Sequence, residues 1–390
     1  MDELQQLRCQ IDDLDRELVQ LFRRRMAVTE QVGRYKAQRG LPVLDRERER
    51  QVLAAKAALV GDDLRADITT LFETVMALSR RQQMALVDDN GWIEGHRQAW
   101  SNCRTPIPQA RVVYQGVPGA YSETAALDFF GPDAHCQGLT QFEDVFHAIQ
   151  SGTADYGVVP IENSSTGAIR QIYDLLMQYA FYIVGETTVK VEHCLMAPKG
   201  ASLDTITHVY SHEQGLFQCE KFLNRHPNWV QVPQEDTAGS ARYVAACGDV
   251  TKGAVCSRRA AGLYDLEILA EAINHNSTNT TRFVVVSSRP ELREGRNKIS
   301  ATFTLAHESG TLHRIMTVFA TGGLNMMKLE SRPIPERSWE YQFFVDFSGD
   351  LSAYGMDSIL REMSQCSATL RILGNYRANS ETAVRPGGTA

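Results

Sequence analysis

Pro160-Ile161-Glu162-Asn163-Ser164-Ser165-Thr166-Gly167 is the stretch whose reading decides the fold. Ahead of it, Asp155-Tyr156-Gly157-Val158-Val159 has the paired β-branched residues and glycine approach of a short strand. Behind it, Ile169, Ile172, Leu175, Leu176 and Tyr179 fall at helical spacing over 168–179. A strand entering a polar loop and then a helix places that loop at the carboxyl edge of an α/β sheet. Ligands bind at such edges, and the free N–H groups of a helix start favour an anion. Glu162 and Asn163 supply a carboxylate and an amide, and three hydroxyl residues follow. The same residues would equally serve a capped polar turn.

Outward from this stretch, short strands and helices alternate from Arg111 onward, the mark of an α/β domain. Val112-Val113-Tyr114 leads into Gly116-Val117-Pro118-Gly119-Ala120-Tyr121-Ser122 and a helix through Ala125, Leu127 and Phe130. The Gly-x-x-Gly turn lacks the spacing of a dinucleotide fingerprint or a Walker loop. Strands are expected at 182–186, 189–196, 208–212, 229–232, 254–256 and 281–286, with a helix carrying Gln214 and Gln218. Leaving and re-entering a sheet this often implies two α/β lobes with a cleft between them. Singly, Ser211 and Thr237 are ordinary helix caps.

Toward the N-terminus, Leu4, Leu7, Ile11, Leu14, Leu18, Leu21, Val28, Val32 and Tyr35 form a 3-4 heptad stripe, interrupted by Arg25. Gly40 and Pro42 end this helix, which at about 35 residues is roughly 50 Å long and needs a partner helix, most simply from a second chain. Further helices are expected at 45–59 and 64–86. Asp45, Arg48, Glu49 and Val52 share one face, where a bundle normally places apolar residues. Arg25 is either a snorkelling seam residue or the cation of a polar pocket that needs an anion.

These helices resemble the all-helical chorismate mutases, through Arg8 in Leu7-Arg8-x-x-Ile11, Arg25, Lys36 after Val32-Gly33, Asp45, Arg48, Glu49, Ser79 and Gln83. The resemblance implies two interlocked chains, with Arg8 entering the partner's site. It implies that Arg8 and Arg25 hold carboxylates, Lys36 and Gln83 the ether oxygen, and Glu49 the hydroxyl. Asp45, Arg48 and Ser79 complete the pocket. The rearrangement of chorismate to prephenate is pericyclic, so placed charge and a compressed substrate suffice.

Gly116-x-x-Gly119-x-Tyr121-Ser122, Pro160-Ile-Glu-Asn-Ser, Tyr210-Ser211-His212 and Thr281-Arg282-Phe283 are similar, in order and spacing, to prephenate dehydratase. With the helical segment in front, the chain resembles the bifunctional chorismate mutase–prephenate dehydratases from Leu4 to Tyr376. This implies that Thr281 donates toward the departing hydroxyl and that Glu162, Asn163, Ser211, Gln218 and Glu235 line the cleft. Since a threonine hydroxyl is a poor acid, a desolvated, protonated Glu162 is expected at the far end of a relay.

After a linker at 89–110 containing Trp92 and Trp100, and the α/β domain at 111–290, the order strand-helix-strand-strand-helix-strand over 298–376 is ferredoxin-like. Gly310-x-Leu312 and Glu330-Ser331-Arg332-Pro333 resemble the ACT regulatory domain of these enzymes, which implies L-phenylalanine as effector. Thr311 and His313 replace the usual small apolar residues, so weaker binding than the family norm is expected. Residues 377–390 read as a disordered tail.

The fold class is therefore multidomain: an all-α bundle at 1–88, a two-lobed α/β domain and an α+β C-terminal domain. Net charge is −7, which offers no basic surface for nucleic acid or an anionic membrane. The eight cysteines are scattered, with no Cys-x-x-Cys and no histidine at ligand spacing, so no metal site is expected, and the resemblance calls for no cofactor. The acidic, amphipathic start and the lack of an 18-residue apolar run point to a cytoplasmic protein, and the long N-terminal stripe to a homodimer or higher homo-oligomer. A rival reading is a two-lobed binding protein, sensing a small molecule, with a helical dimerisation module.

Overall fold

The structure, a computed structural model, describes residues 3–86, 103–308, 310–334 and 340–379, with isolated positions between 95 and 101. Trp92 lies outside the described residues.

Three helices open the chain: α1 (Glu3–Arg39), α2 (Arg46–Ala57) and α3 (Arg65–Met84). Gly40, at φ +62°, ends α1, and the Asp45 carboxylate accepts from Arg48 N at 3.0 Å to cap α2. Among the described residues nothing covers much of the α1 stripe: Leu4, Ile11, Leu14, Leu18 and Val28 are each more than half exposed. Helix α1 meets α3 around Gly33, where an added Cβ would sit 3.1 Å from Gln83 Cα. A side chain there would need α3 to give by a few tenths of an ångström.

The central segment folds as β1 (Val112–Gln115), α4 (Tyr121–Phe130), β2 (Cys136–Leu139), α5 (Phe142–Gln150), β3 (Tyr156–Asn163), β4 (Gly167–Ala168), α6 (Arg170–Gln178) and β5 (Tyr182–Lys190). It continues through β6 (His193–Ala197), β7 (His208–His212), α7 (Glu213–Gln218), α8 (Glu220–Leu223), β8 (Val230–Gln234), α9 (Thr237–Cys247), β9 (Lys252–Ser257), α10 (Arg258–Leu263) and β10 (Glu267–Ala270). Strand β11 (Thr280–Ser287) then returns to the first sheet. The two sheets have orders β2-β1-β3-β11-β5 and β10-β6-β9-β7-β8. The chain crosses between them only at 191–192 and 271–279, among the described residues.

Two expectations shift here. Pro160 to Asn163 is strand rather than loop, and the polar residues after it form a tight turn into β4. The turn therefore does not sit on a helix start. Proline is tolerated because it lies at a register break, opposite Phe283. The expected 189–196 strand is broken at Val191-Glu192, where the chain changes lobe.

The C-terminal segment runs β12 (Lys298–Thr304), α11 (Thr311–Thr321), β13 (Met326–Pro333), β14 (Tyr341–Ser348), α12 (Met356–Cys366) and β15 (Thr369–Tyr376), in the sheet order β13-β14-β12-β15. Residues 1–101 and 301–372 form one compact unit, and 102–300 with 373–390 the other. Inside the first unit two arginines reach the ends of neighbouring helices. Arg81 on α3 donates to Thr321 O (2.7 Å), Thr321 Oγ1 (2.6 Å) and Glu362 Oε2 (3.1 Å), while Arg361 on α12 donates to Met84 O at the end of α3. These cations satisfy helix-terminal carbonyls that would otherwise lack donors.

The linker and the tail are also corrected in part. Arg104 N donates to Pro290 O at 3.1 Å, Arg104 Nη2 to Asp155 O at 3.1 Å, and Ile107 N to Tyr156 Oη at 3.1 Å, so 103–110 is docked on the α/β domain. Ala378 N and Asn379 N are held by Asn297 Oδ1 and Glu186 Oε1 at 2.7 and 3.0 Å. The rest of the expected tail lies outside the described residues. Among the described residues, no helix is long and apolar enough to cross a membrane.

Candidate active sites

In the helical segment, Arg25 and Ser79 meet across α1 and α3: Arg25 Nη1 donates to Ser79 Oγ, whose own proton goes to Val75 O at 2.7 Å. The serine thus orients the guanidinium while remaining satisfied. Burial lowers the pKa of Arg25 from its usual range. Lys36 Nζ donates to Val43 O at 2.7 Å; burial lowers its pKa, and the Asp45 and Glu49 carboxylates partly oppose this. The Gln83 amide oxygen is buried without a hydrogen-bond partner among the described residues. Glu49 is paired with Arg80, a residue the sequence reading passed over. The missed signal is its register: Met76, Arg80 and Met84, at i, i+4, i+8, are all buried. Asp45 caps α2 and Arg48 is exposed. Arg8 lies on α1, 17 positions before Arg25 and so about 25 Å away along the same helix. It cannot join Arg25 within one chain.

In the α/β domain a cavity of about 380 Å³ between the lobes is lined by Tyr121, Asn163, His193, Gln218, Glu235 and Thr281, among others. Strand pairing places Asn163 opposite Thr281, and Glu162 opposite Arg282. Successive side chains on a strand face opposite ways, so Asn163 and Thr281 share one face and Glu162 and Arg282 the other. Asn163 Oδ1 accepts from Ser165 N (2.9 Å) and Thr166 N (3.2 Å), which fixes its amide. Its Nδ2 therefore donates, to Thr281 Oγ1 and Asn279 Oδ1, both at 2.8 Å. Thr281 Oγ1, already accepting, keeps its own proton for another acceptor.

Two expected cleft residues are not in it. Glu162 does not line the cavity; Arg282 Nη2 donates to its Oε2 at 3.1 Å, and Arg282 also reaches Glu186, itself bound by Lys298 at 2.8 Å. Glu162 belongs to an ion-pair network on the far face and gives no proton to the cleft. Ser211 is fully buried and donates to Val255 O at 2.7 Å, tying β7 to β9. Gln218 and Glu235 do line the cavity. Beside Gln218 sits His193, also missed: its Nε2 is 2.9 Å from the Gln218 amide and its Nδ1 3.2 Å from Tyr121 Oη. It passed as one residue of an apolar strand, with no neighbour in sequence to mark it.

In the C-terminal segment Gly310 (φ +79°) precedes α11. Thr311 Oγ1 donates to Ala306 O and Glu308 O at 3.1 and 3.0 Å, and Leu312 is partly exposed beside Tyr341 and Phe343. Ser331 pairs with Phe343, Glu330 with Phe344 and Arg332 with Gln342 on the edge strand β13.

A helical site built on cations and a two-lobed cleft built on fixed donors define an enzyme with two centres for small anionic substrates. Residues 7–84 match the family described as chorismate mutase type II, and 112–291 the family described as prephenate dehydratase. The bifunctional chorismate mutase/prephenate dehydratase of Aquifex aeolicus is 31% identical over 96% of this chain and 98% of its own. That of Escherichia coli is 33% identical over 97% of each. A prephenate dehydratase structure from Arthrobacter aurescens, solved with L-Phe, is 29% identical with a TM-score of 0.63, over 72% of this chain and 92% of that one. The chain belongs to the bifunctional chorismate mutase/prephenate dehydratase family. It converts chorismate to prephenate and prephenate to phenylpyruvate, steps of aromatic amino acid biosynthesis.

Proposed function

We propose that Thr281 is the hydroxyl donor of the dehydratase step and that Asn163 sets its direction. The observation that carries this is the Asn163 Nδ2 to Thr281 Oγ1 bond, which leaves the threonine proton as the group's remaining donor. Prephenate loses its ring carboxylate as carbon dioxide and its hydroxyl as water, and the electron pair of the breaking C–C bond aromatises the ring. A donor aimed at the leaving oxygen stabilises the charge that grows there. Gln218 and Glu235 contact the substrate from the second lobe. In a folded Asn163→Ala variant, supplied prephenate should turn over about 10²-fold more slowly, the scale for losing one preorganised donor. Turnover within a factor of two of the parent would refute this role.

For the mutase, Arg25 and Lys36 provide the cations, Ser79 orients Arg25, and the Gln83 amide NH₂ donates to the ether oxygen beside Lys36. Glu49, Asp45 and Arg48 complete the pocket, and Arg8 comes from a second chain. The uncovered apolar stripe on α1 supports that dimer, since so long an exposed seam is unusual on a monomer.

The C-terminal segment is a ferredoxin-like ACT domain that binds L-phenylalanine at the Gly310–Leu312 turn, with Glu330, Ser331 and Arg332 shaping the adjoining edge. Its element order and strand order support this assignment. The helix start offers amides to the ligand's carboxylate. Calorimetric titration should show phenylalanine binding that inhibits the dehydratase. Gly310→Val, which places a β-branched residue at positive φ, should weaken that binding at least about tenfold. Equal affinity in both proteins would defeat the assignment.

A further inference from the structure

We propose that His193 is a positioning residue whose protonation decides whether Gln218 offers the dehydratase cleft a donor or an acceptor, so that prephenate binding takes up a proton. This rests on the cleft being the dehydratase site.

The inference comes from counting protons. Tyr121 has one hydroxyl proton, and its oxygen lies 2.8 Å from Glu192 O and 3.2 Å from His193 Nδ1. The carbonyl can only accept and is nearer, so it takes the proton. The contact at Nδ1 must then be made by an N–H on the ring. On the other side, Nε2 is 2.9 Å from the Gln218 side-chain amide. A neutral ring protonated on Nδ1 has only a lone pair at Nε2. It holds Gln218 by the amide NH₂, which turns the carbonyl oxygen toward the cavity. A doubly protonated ring donates from Nε2 to Oε1 and turns the NH₂ toward the cavity. The two amide ends exchange by rotation about one bond.

His193 is well placed to make this choice. It is 2% exposed, which leaves the ring no room to swing away, and its backbone N donates to Asn274 Oδ1 at 3.1 Å, which anchors the strand. Burial lowers its pKa below the usual histidine value, which favours the neutral ring in an empty cleft. The buried thiols and the phenol packed around His193 stay protonated. Burial pushes the Cys219 and Cys256 thiols up to about 12 and raises Cys194 and Tyr121 as well. Glu192, Glu235 and Asp236 are the nearby carboxylates. His212, whose Nδ1 accepts from Gln214 N at 3.2 Å, is the second imidazole on the cavity. Prephenate carries two carboxylates, so it is repelled by the carbonyl oxygen and attracted by NH₂. Its charge also favours the imidazolium.

The test is steady-state kinetics on supplied prephenate from about pH 6 to 9, the range that brackets histidine titration. In the parent, KM should rise about tenfold per pH unit above the free-enzyme pKa of His193 and level off at the higher pKa of the complex. Tyr121→Phe removes the acceptor that Nδ1 has among the described residues. Its neutral ring then carries the proton on Nε2, Gln218 remains a donor at every pH, and the slope of KM disappears. A merely structural tyrosine would not flatten that profile. A flat parent profile, an unchanged slope in Tyr121→Phe, or a folded Tyr121→Phe without turnover would each overturn the proposal. Gln218→Ala separates the two levels: a raised KM keeps the site reading even if the slopes fail, and an unchanged KM removes both.

Discussion

Arg25→Ala abolishes chorismate rearrangement, by about 10³-fold or more, while dehydratase turnover on supplied prephenate persists. The scale is that of removing a charged donor aimed at developing charge in a water-poor site. The variant should still fold. Ser79 Oγ keeps its bond to Val75 O at 2.7 Å, so no buried hydroxyl is orphaned, and the apolar stripe on α1 is untouched. The desolvation that lowers the pKa of Arg25 is relieved rather than added by the change. Parallel assays with chorismate and prephenate, alongside circular dichroism, check this. A folded variant with near-normal mutase turnover would remove Arg25 from the site.

The second large effect falls on Thr281→Ala, in which chorismate should pile up as prephenate. The Asn163 amide loses one of its two acceptors but keeps Asn279 Oδ1 at 2.8 Å, so the turn stays closed and the loss is confined to the donor. A fall of about 10²–10³ in dehydratase kcat is expected, with mutase activity intact. Thr281→Ser retains the hydroxyl and should stay within about tenfold of the parent, paying only for rotamer freedom that the methyl group had restricted. If the alanine and serine variants lose activity equally, the hydroxyl is not the donor.

Much of this architecture was legible because it follows from periodicity. The 3-4 stripe on α1 announces an uncovered seam, and the alternation of strands and helices announces an α/β domain. The site was legible where residue type and register coincide, as for Arg25 in an apolar stripe. It failed where a strand was taken for a loop. Once Pro160 to Asn163 is strand, Glu162 and Asn163 cannot share a face, and only one of them reaches the cleft. Pro160 concealed the strand because it sits at a register break that no local pattern displays. Ser211 misled in a different way. Its hydroxyl joins two strands 44 positions apart in sequence, and such a partner is invisible until the sheet is assembled. His193 was hidden by company, as a titratable ring in an otherwise apolar strand. The arginine clasp between α3 and the C-terminal helices spans more than 200 residues and leaves no trace in either segment.

That clasp bears on how the protein is made. The unit that holds the first 101 residues is completed only by residues 301–372. At about 5–20 residues per second, a ribosome needs roughly 10–40 s to make the intervening 200 residues. Throughout that interval the opening helices have emerged without the surface that caps Met84 O and binds Arg81. The dehydratase lobes have time to fold as an independent body between the two halves. Assembly of the mutase unit therefore waits until residues 301–372 have emerged, and its opening helices are exposed to chaperones and proteases until then.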